Sequence, residues 1–315
     1  MSAPSLLFPP RLVPGDTIGI AAPASPPAKP ELIDEVLERF TAQGFRVKPG
    51  KYLRKRDGYL AGGDEERAED INALFVDPDV KGIFALRGGY GSCRILPLLD
   101  YAAIRAHPKS FIGYSDITAM QLAILVKAGL VTFHGSNASS AFQPANAALF
   151  QRMLMIDGSR RTPGGGPEIL FSRDEANDVS LKTVVPGRAT GQLLGGNMTC
   201  LLRLLGTPYA PDFRNAILFL EDTGEKAYRV DGMFTHLRLA GILSQIRGLI
   251  LGQFDHPDPA EQARVAECLQ REAGRIGVPC VSGAPIGHFP EQIIVPQGAQ
   301  AELDAGEGKL NLTPP

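Results

Sequence analysis

A serine at the end of a short apolar run is the first residue in this chain whose setting suggests chemistry. Phe111-Ile112-Gly113-Tyr114-Ser115-Asp116-Ile117-Thr118 reads as a buried strand that breaks into a helix with a hydroxyl at the turn. A serine so placed projects its oxygen beyond the sheet. The next amide, from Asp116, lies at a helix N-terminus, where backbone donors lack intrahelical partners. Nucleophile with half an oxyanion hole is one reading; plain N-cap of the helix is the other. The turn also departs from the G-x-S-x-G elbow, because Asp116 and Thr118 follow and no second glycine is present.

Arg87-Gly88-Gly89-Tyr90-Gly91-Ser92 is a second glycine-rich turn at a strand end. It matches neither G-x-G-x-x-G nor a P-loop with its lysine, so a nucleotide site is poorly supported. Backbone amides aimed at a developing oxyanion fit the same segment, as does an ordinary tight turn. A serine nucleophile needs a base, and the histidines are His107, His134, His236, His256 and His288. His107 precedes a proline in a polar loop, and His236 falls inside a helix pattern. His256 follows a strand end and reads as a site residue or a turn residue. His288, in the irregular loop Gly283-Ala284-Pro285-Ile286-Gly287-His288, is the most suggestive. An orienting carboxylate is available where Leu218-Phe219-Leu220 runs into Glu221 and Asp222, with Glu225 close behind. Alternation along a strand sends Glu221 and Asp222 to opposite faces, so at most one of them meets the histidine. Helix capping or ion pairing is the competing role for these acids.

The elements that must position these groups alternate. Thr17 to Ala22 is an apolar run ending in the Pro/Ser-rich turn Pro23 to Pro27, and Leu32, Ile33, Val36, Leu37 and Phe40 then share a helical face before Gly44. A helix opened by Asp64 carries Ile71, Leu74 and Phe75, and the strand Gly82 to Leu86 leads into the glycine-rich turn. The Ser115 strand and a helix through Met120, Leu122, Ile124 and Leu125 follow. This rhythm predicts a doubly wound parallel sheet, with both turns beyond its carboxyl edge, where ligands bind in such folds. Periodicity fades between Asp157 and Gly187, which predicts a domain at 1–165, a linker at 166–187 and a smaller α/β domain at 188–315. In that second part strands are expected at Ala189–Leu194, Ala216–Leu220, Gly248–Leu251 and Ala299–Leu303. Helices are expected at Met198–Leu205, Val230–Leu239 and Pro259–Ala273.

Bulk properties remove other classes. The 315 residues carry 32 basic and 34 acidic side chains, a net charge of -2 that offers no field for a phosphate backbone or an anionic membrane. Nucleic acid and membrane are therefore not expected partners, and the basic cluster Lys51, Arg54, Lys55, Arg56 reads as a solvated loop. Cys93, Cys200, Cys268 and Cys280 are widely spaced, without a CxxC pair or adjacent histidines, and read as free thiols rather than a zinc site. No signal-peptide run opens the chain and no 18 apolar residues run together, which points to the cytoplasm.

Taken together, Pro14-Gly15-Asp16, Arg87-Gly88-Gly89-Tyr90-Gly91, Gly113-Tyr114-Ser115-Asp116, Gly191 to Asn197, Leu220-Glu221-Asp222 and Gly287-His288 resemble the LD-carboxypeptidase family of serine peptidases. That family includes murein tetrapeptide carboxypeptidases and microcin C immunity peptidases. The resemblance runs nearly end to end and implies roles residue by residue: Ser115 the nucleophile, His288 the base, Glu221 its orienting acid, and the amides of Gly89 and Asp116 the oxyanion donors. It implies a flavodoxin/Rossmann-like first domain, a swivelling-type second domain, and a triad divided between them with the site at their interface. It further implies a metal-independent, cofactor-free homodimer that takes a small murein peptide and removes its terminal D-alanine. Arg87 would help orient a substrate carboxylate or serve in a structural ion pair. Two alternatives remain open at this level. One is a microcin-immunity-like peptidase cutting a peptidyl-nucleotide amide, for which an adenine-stacking aromatic would be expected, although the chain has no tryptophan. The other is a non-catalytic small-ligand-binding α/β protein, which leaves Glu221 and His288 without a purpose.

Overall fold

The computed structural model describes residues 5–142, 150, 154–155, 168–173, 181–288 and 292–313. The chain divides into two compact units, Met1–Gly165 and Gly166–Pro315.

The first unit alternates strand and helix. Its elements are β1 (Thr17–Ala21), α1 (Leu32–Ala42), β2 (Arg46–Pro49), α2 (Asp64–Val76), β3 (Val80–Ala85), α3 (Ser92–Ile95), α4 (Tyr101–Ala106), β4 (Ser110–Gly113), α5 (Thr118–Ala128) and β5 (Thr132–His134). The five strands lie in the order β2-β1-β3-β4-β5, and every pairing among them is parallel. β1 is buried along its whole length, as a central strand covered on both faces must be. α1 presents Ile33, Val36 and Phe40 to the core, with Phe40 edge-on to Phe84 of β3 at 4.9 Å between centroids. The basic cluster lies in an exposed loop after β2, where Lys51, Arg54 and Lys55 pair with Glu69, Asp34 and Glu66.

The second unit contains β6 (Glu168–Ser172), β7 (Lys182–Val185), β8 (Arg188–Asn197), α6 (Met198–Leu202), β9 (Ile217–Thr223), α7 (Ala227–Leu239), β10 (Gly248–Asp255), α8 (Pro259–Ile276), β11 (Cys280–Ser282), β12 (Val295–Gln297), β13 (Gln300–Asp304) and β14 (Lys309–Leu312). Eight of these strands form one sheet in the order β6-β14-β13-β8-β9-β10-β11-β7. Its centre, β8 through β11, is parallel, and antiparallel strands flank it on both sides. β6 and β7 fall inside the stretch expected to be a linker; the rest of that stretch up to Asp178 lies largely outside the described residues. The two strands escaped the pattern because they form the sheet's edges, and β7 in particular alternates neither in polarity nor in burial. Elsewhere the expected elements appear with ends shifted by a few residues, β8 and β10 extending further than their apolar stretches.

Candidate active site

In a sheet ordered 2-1-3-4-5, the chain leaves β1 and β3 in opposite lateral directions, and a crevice opens between their carboxyl ends. Two loops border it: Ala22 to Ser25 after β1, and Leu86 to Gly91 after β3. β4, next to β3, delivers the Ser115 turn to the same edge. The two turns touch. A Cβ added to Gly88 would stand 2.8 Å from Ser115 Cβ and 3.0 Å from its Oγ, so only glycine allows this approach. Gly89 follows at φ +111°, and the Ser25 hydroxyl accepts a hydrogen bond from the Tyr90 amide at 3.1 Å.

Ser115 itself sits at φ +65°, in the left-handed region that a residue with a side chain enters at a cost of about 1–3 kcal/mol. It opens a single 3-10 turn, Ser115–Ile117, that runs into α5. The N-cap of that turn is Tyr114 and that of α5 is Ile117, and neither position makes a side-chain cap. The capping alternative for Ser115 is therefore not what this backbone provides. Several buried groups enforce the turn. Asn137 Oδ1 accepts from Tyr114 N at 3.1 Å, and Gln121 Nε2 donates to Gly113 O and Phe133 O at 2.8 and 2.6 Å. Asp116, 1% exposed, turns its carboxylate to the Ser92 amide at 2.8 Å and so ties the serine turn to the start of α3.

In the second unit, β9 carries Glu221 and Asp222 out of the sheet core on alternate faces. Glu221 is fully buried, and its Oε2 lies 2.8 Å from Nδ1 of the half-buried His288. Gly287 makes this possible: at φ +106°, its own Cβ would fall 2.7 Å from Glu221 Cβ and Oε2. Burial pushes the Glu221 carboxyl above its ordinary value, while the hydrogen bond and charge of His288 pull against it. For His288 burial acts downward, but the bond to Glu221 and the charges of Glu221, Asp255 and Asp222 outweigh it and hold the imidazole above its ordinary value. Asp222 has a different employment. It accepts from Asn197 Nδ2, Thr199 N, Thr199 Oγ1 and Thr223 N at 2.8–3.1 Å, pinning the start of α6 to the end of β9. Glu225 faces Arg229 at 3.7 Å.

Ser115, Gly89 and Asp116 thus belong to the first unit, and Glu221 and His288 to the second. Two of the other histidines have local partners: His256 Nδ1 accepts from the amide of Asp258, the N-cap of α8, and His107 Nδ1 lies 3.0 Å from Ala103 O at the end of α4. Arg87 donates to Pro26 O at 3.2 Å, steadying the loop after β1. All four cysteines are free, and three are buried. Among the described residues no group of three or more His, Cys, Asp or Glu side chains is placed to hold a metal ion, and no helix is long and apolar enough to cross a membrane. Ser25, Gln121 and Asn137 were not singled out from the sequence. A serine inside a Pro/Ser-rich turn and amides near strand ends carry no local signal; their work is done across the sheet.

Comparison with known proteins places this geometry in context. Residues 18–135 match the LD-carboxypeptidase N-terminal domain and residues 190–303 the LD-carboxypeptidase C-terminal domain. A probable murein peptide carboxypeptidase of Bacillus subtilis is 36% identical over 301 residues, covering 93% of this chain and 90% of that one. The Microcin C7 self-immunity protein MccF of Escherichia coli is 30% identical over 323 residues, covering 95% and 93%. A wild-type apo structure of MccF superposes with a TM-score of 0.87 at 27% identity, over 98% of this chain and 99% of that one. The crystal structure of a muramoyltetrapeptide carboxypeptidase from Oxalobacter formigenes gives a TM-score of 0.80 at 31% identity, over 95% and 100%.

Proposed function

The chain belongs to the LD-carboxypeptidase family, and from that premise we propose that it is a serine carboxypeptidase that releases the terminal D-alanine of murein tetrapeptide. The bond cut runs from an L-centre to a D-residue. The observation that carries the chemistry is the 2.8 Å contact between Glu221 Oε2 and His288 Nδ1. An imidazole held through Nδ1 keeps Nε2 as its basic nitrogen, the form a general base requires.

In this reading Ser115 Oγ attacks the carbonyl carbon of the penultimate residue and His288 takes its proton. The amides of Gly89 and Asp116 receive the oxyanion. His288 then protonates the departing D-alanine amine, and water, deprotonated by the same imidazole, releases the peptide from Ser115. The left-handed backbone at Ser115 and its contact with Gly88 support the nucleophile's role, because strain of this kind persists where the surroundings enforce it. The reading assigns 1–165 as the nucleophile domain and 188–315 as the domain carrying the acid and the base. It also takes the protein to be a cytoplasmic homodimer, a compartment that suits four free thiols. Incubation with murein tri-, tetra- and pentapeptides, followed by mass measurement, is expected to show loss of one alanine from the tetrapeptide only. An unchanged tetrapeptide overturns the reading.

The high structural likeness to MccF favours a second reading, hydrolysis of a peptidyl- or aminoacyl-nucleotide amide. One MccF structure holds aspartyl sulfamoyl adenosine. Cleavage of that compound with no action on the tetrapeptide would select this alternative.

A further inference from the structure

The two loops that border the crevice are joined by a side chain that belongs to neither. Arg67, in the first turns of α2, is 2% exposed and is the bulkiest fully buried side chain among the described residues. Its Nη1 donates to Pro23 O, in the loop after β1, at 2.5 Å, and to Gly91 O, in the turn after β3, at 3.0 Å. Its Nη2 pairs with Asp64, which in turn is held by Arg94 Nε at 2.9 and 3.0 Å. Gly91 lies directly against it: a Cβ there would stand 3.1 Å from Arg67 Nη1. Ser25 supplies a second tie between the same loops, accepting from Tyr90 N at 3.1 Å and donating its own amide to Gly88 O at 3.4 Å.

Stability alone is a poor explanation for this arginine. Burial disfavours its charged form, and its Nε has no partner, so an apolar side chain of similar volume would serve the core as well or better. What an apolar side chain does not do is grip two carbonyls that lie 68 residues apart in sequence, at Pro23 and Gly91.

We propose that Arg67 is a positioning residue for the reaction: its guanidinium locks the Gly88–Gly91 turn to the loop after β1 and so fixes the Gly89 amide where the oxyanion develops, with Ser25 as the secondary tie. The proposal rests on the carboxypeptidase reading. Oxyanion donors act only through fixed placement, and a displacement near 1 Å costs about a hundredfold in rate.

The test compares the full-length protein with Arg67→Lys and Ser25→Ala, using murein tetrapeptide, the tripeptide product, and a tripeptide aldehyde. The aldehyde's hemiacetal oxygen takes the oxyanion's position once Ser115 Oγ has added to its carbon. Arg67→Lys is expected to lower kcat about a hundredfold with KM within about threefold, and to weaken aldehyde binding by the same factor as kcat/KM. Affinity for the tripeptide stays at the parent value. Ser25→Ala is expected to lower kcat about tenfold with the same pattern. A folded Arg67→Lys with parental kcat overturns the proposal, as does a loss shared equally by kcat, aldehyde affinity and product affinity. Should Arg67→Lys not fold, Ser25→Ala decides: a selective fall in kcat supports the proposal and a parental kcat overturns it. A parent protein that leaves the tetrapeptide intact overturns the carboxypeptidase reading, and this proposal with it.

Discussion

Glu221 and His288 meet through a 2.8 Å Oε2···Nδ1 contact that Gly287 alone makes room for, since any Cβ at position 287 would overlap the glutamate. The pair joins a fully buried acid to a half-buried ring, and its properties dominate what the protein is expected to do as conditions change.

The first expectation concerns pH. A general base works in its neutral form, and the His288 imidazole is held above the ordinary 6.5 by Glu221 in spite of burial. Activity should therefore fall with decreasing pH through a midpoint above 6.5. Glu221→Gln removes the raising contributions of Glu221 and leaves burial opposed only by the charges of Asp255 and Asp222, so the midpoint should move down from the parental one, and the rate on the plateau should drop by about three to four orders of magnitude. A kcat/KM profile between pH 5 and pH 9 reads both effects; an unmoved midpoint would exclude His288 as the titrating base.

Gly287→Ala should separate the acid from the ring. The added methyl would lie 2.7 Å from Glu221 Cβ at a backbone φ of +106°, so a loss of about 1–3 kcal/mol in unfolding free energy is expected together with a large fall in kcat. Urea unfolding and steady-state kinetics on the same preparation check it.

Asp222→Asn should behave otherwise. Asp222 accepts four hydrogen bonds at the junction of β9 and α6, and an amide NH2 facing those donors should cost about 1–3 kcal/mol of stability. The pH midpoint of the folded variant is expected to fall by less than in Glu221→Gln, because Asp222 acts on the imidazole through its charge alone, without a hydrogen bond. A shift as large as that of Glu221→Gln would contradict the separate roles of the two acids.

Ser115 invites a stability comparison. Ser115→Ala and Ser115→Gly should both abolish turnover, but the glycine variant is expected to be about 1 kcal/mol more stable than the alanine one, because φ +65° strains only a residue with a Cβ. Equal unfolding free energies would mean that the turn relaxes once the hydroxyl is gone.

Much of the frame could be read directly from residue order. β1, β3, β9 and β10 are legible as apolar runs because parallel strands at a sheet centre are covered on both faces. β2 and β7 were not, since Arg46-Val47-Lys48-Pro49 and Lys182-Thr183-Val184-Val185 are edge strands with exposed residues and no clear alternation. Ser115, Glu221 and His288 each announce themselves by residue type at a strand end or loop, and strand alternation explains why only one of the paired acids reaches the ring. The residues that hold the turns are another matter. Asn137 acts on Tyr114 from 23 positions away and Arg67 on Pro23 from 44, and a helical arginine flanked by acids looks like any solvent-facing one. A hint was present: Arg67 shares the helical face of Ile71 and Leu74, which are buried.

The five mutually parallel strands of the first unit also set an order of events during folding. Parallel neighbours cannot be joined by a hairpin, so each pairing must close a loop long enough to contain a helix, and the β1–β3 contact spans Thr17 to Ala85 with β2 and two helices between. The ties of the Gly88–Gly91 turn to the loop after β1, through Ser25 and through Arg67 to Pro23, wait until that long closure is complete. Helices can form from local contacts well before then, so a refolding chain should recover its far-ultraviolet dichroism ahead of its catalytic competence.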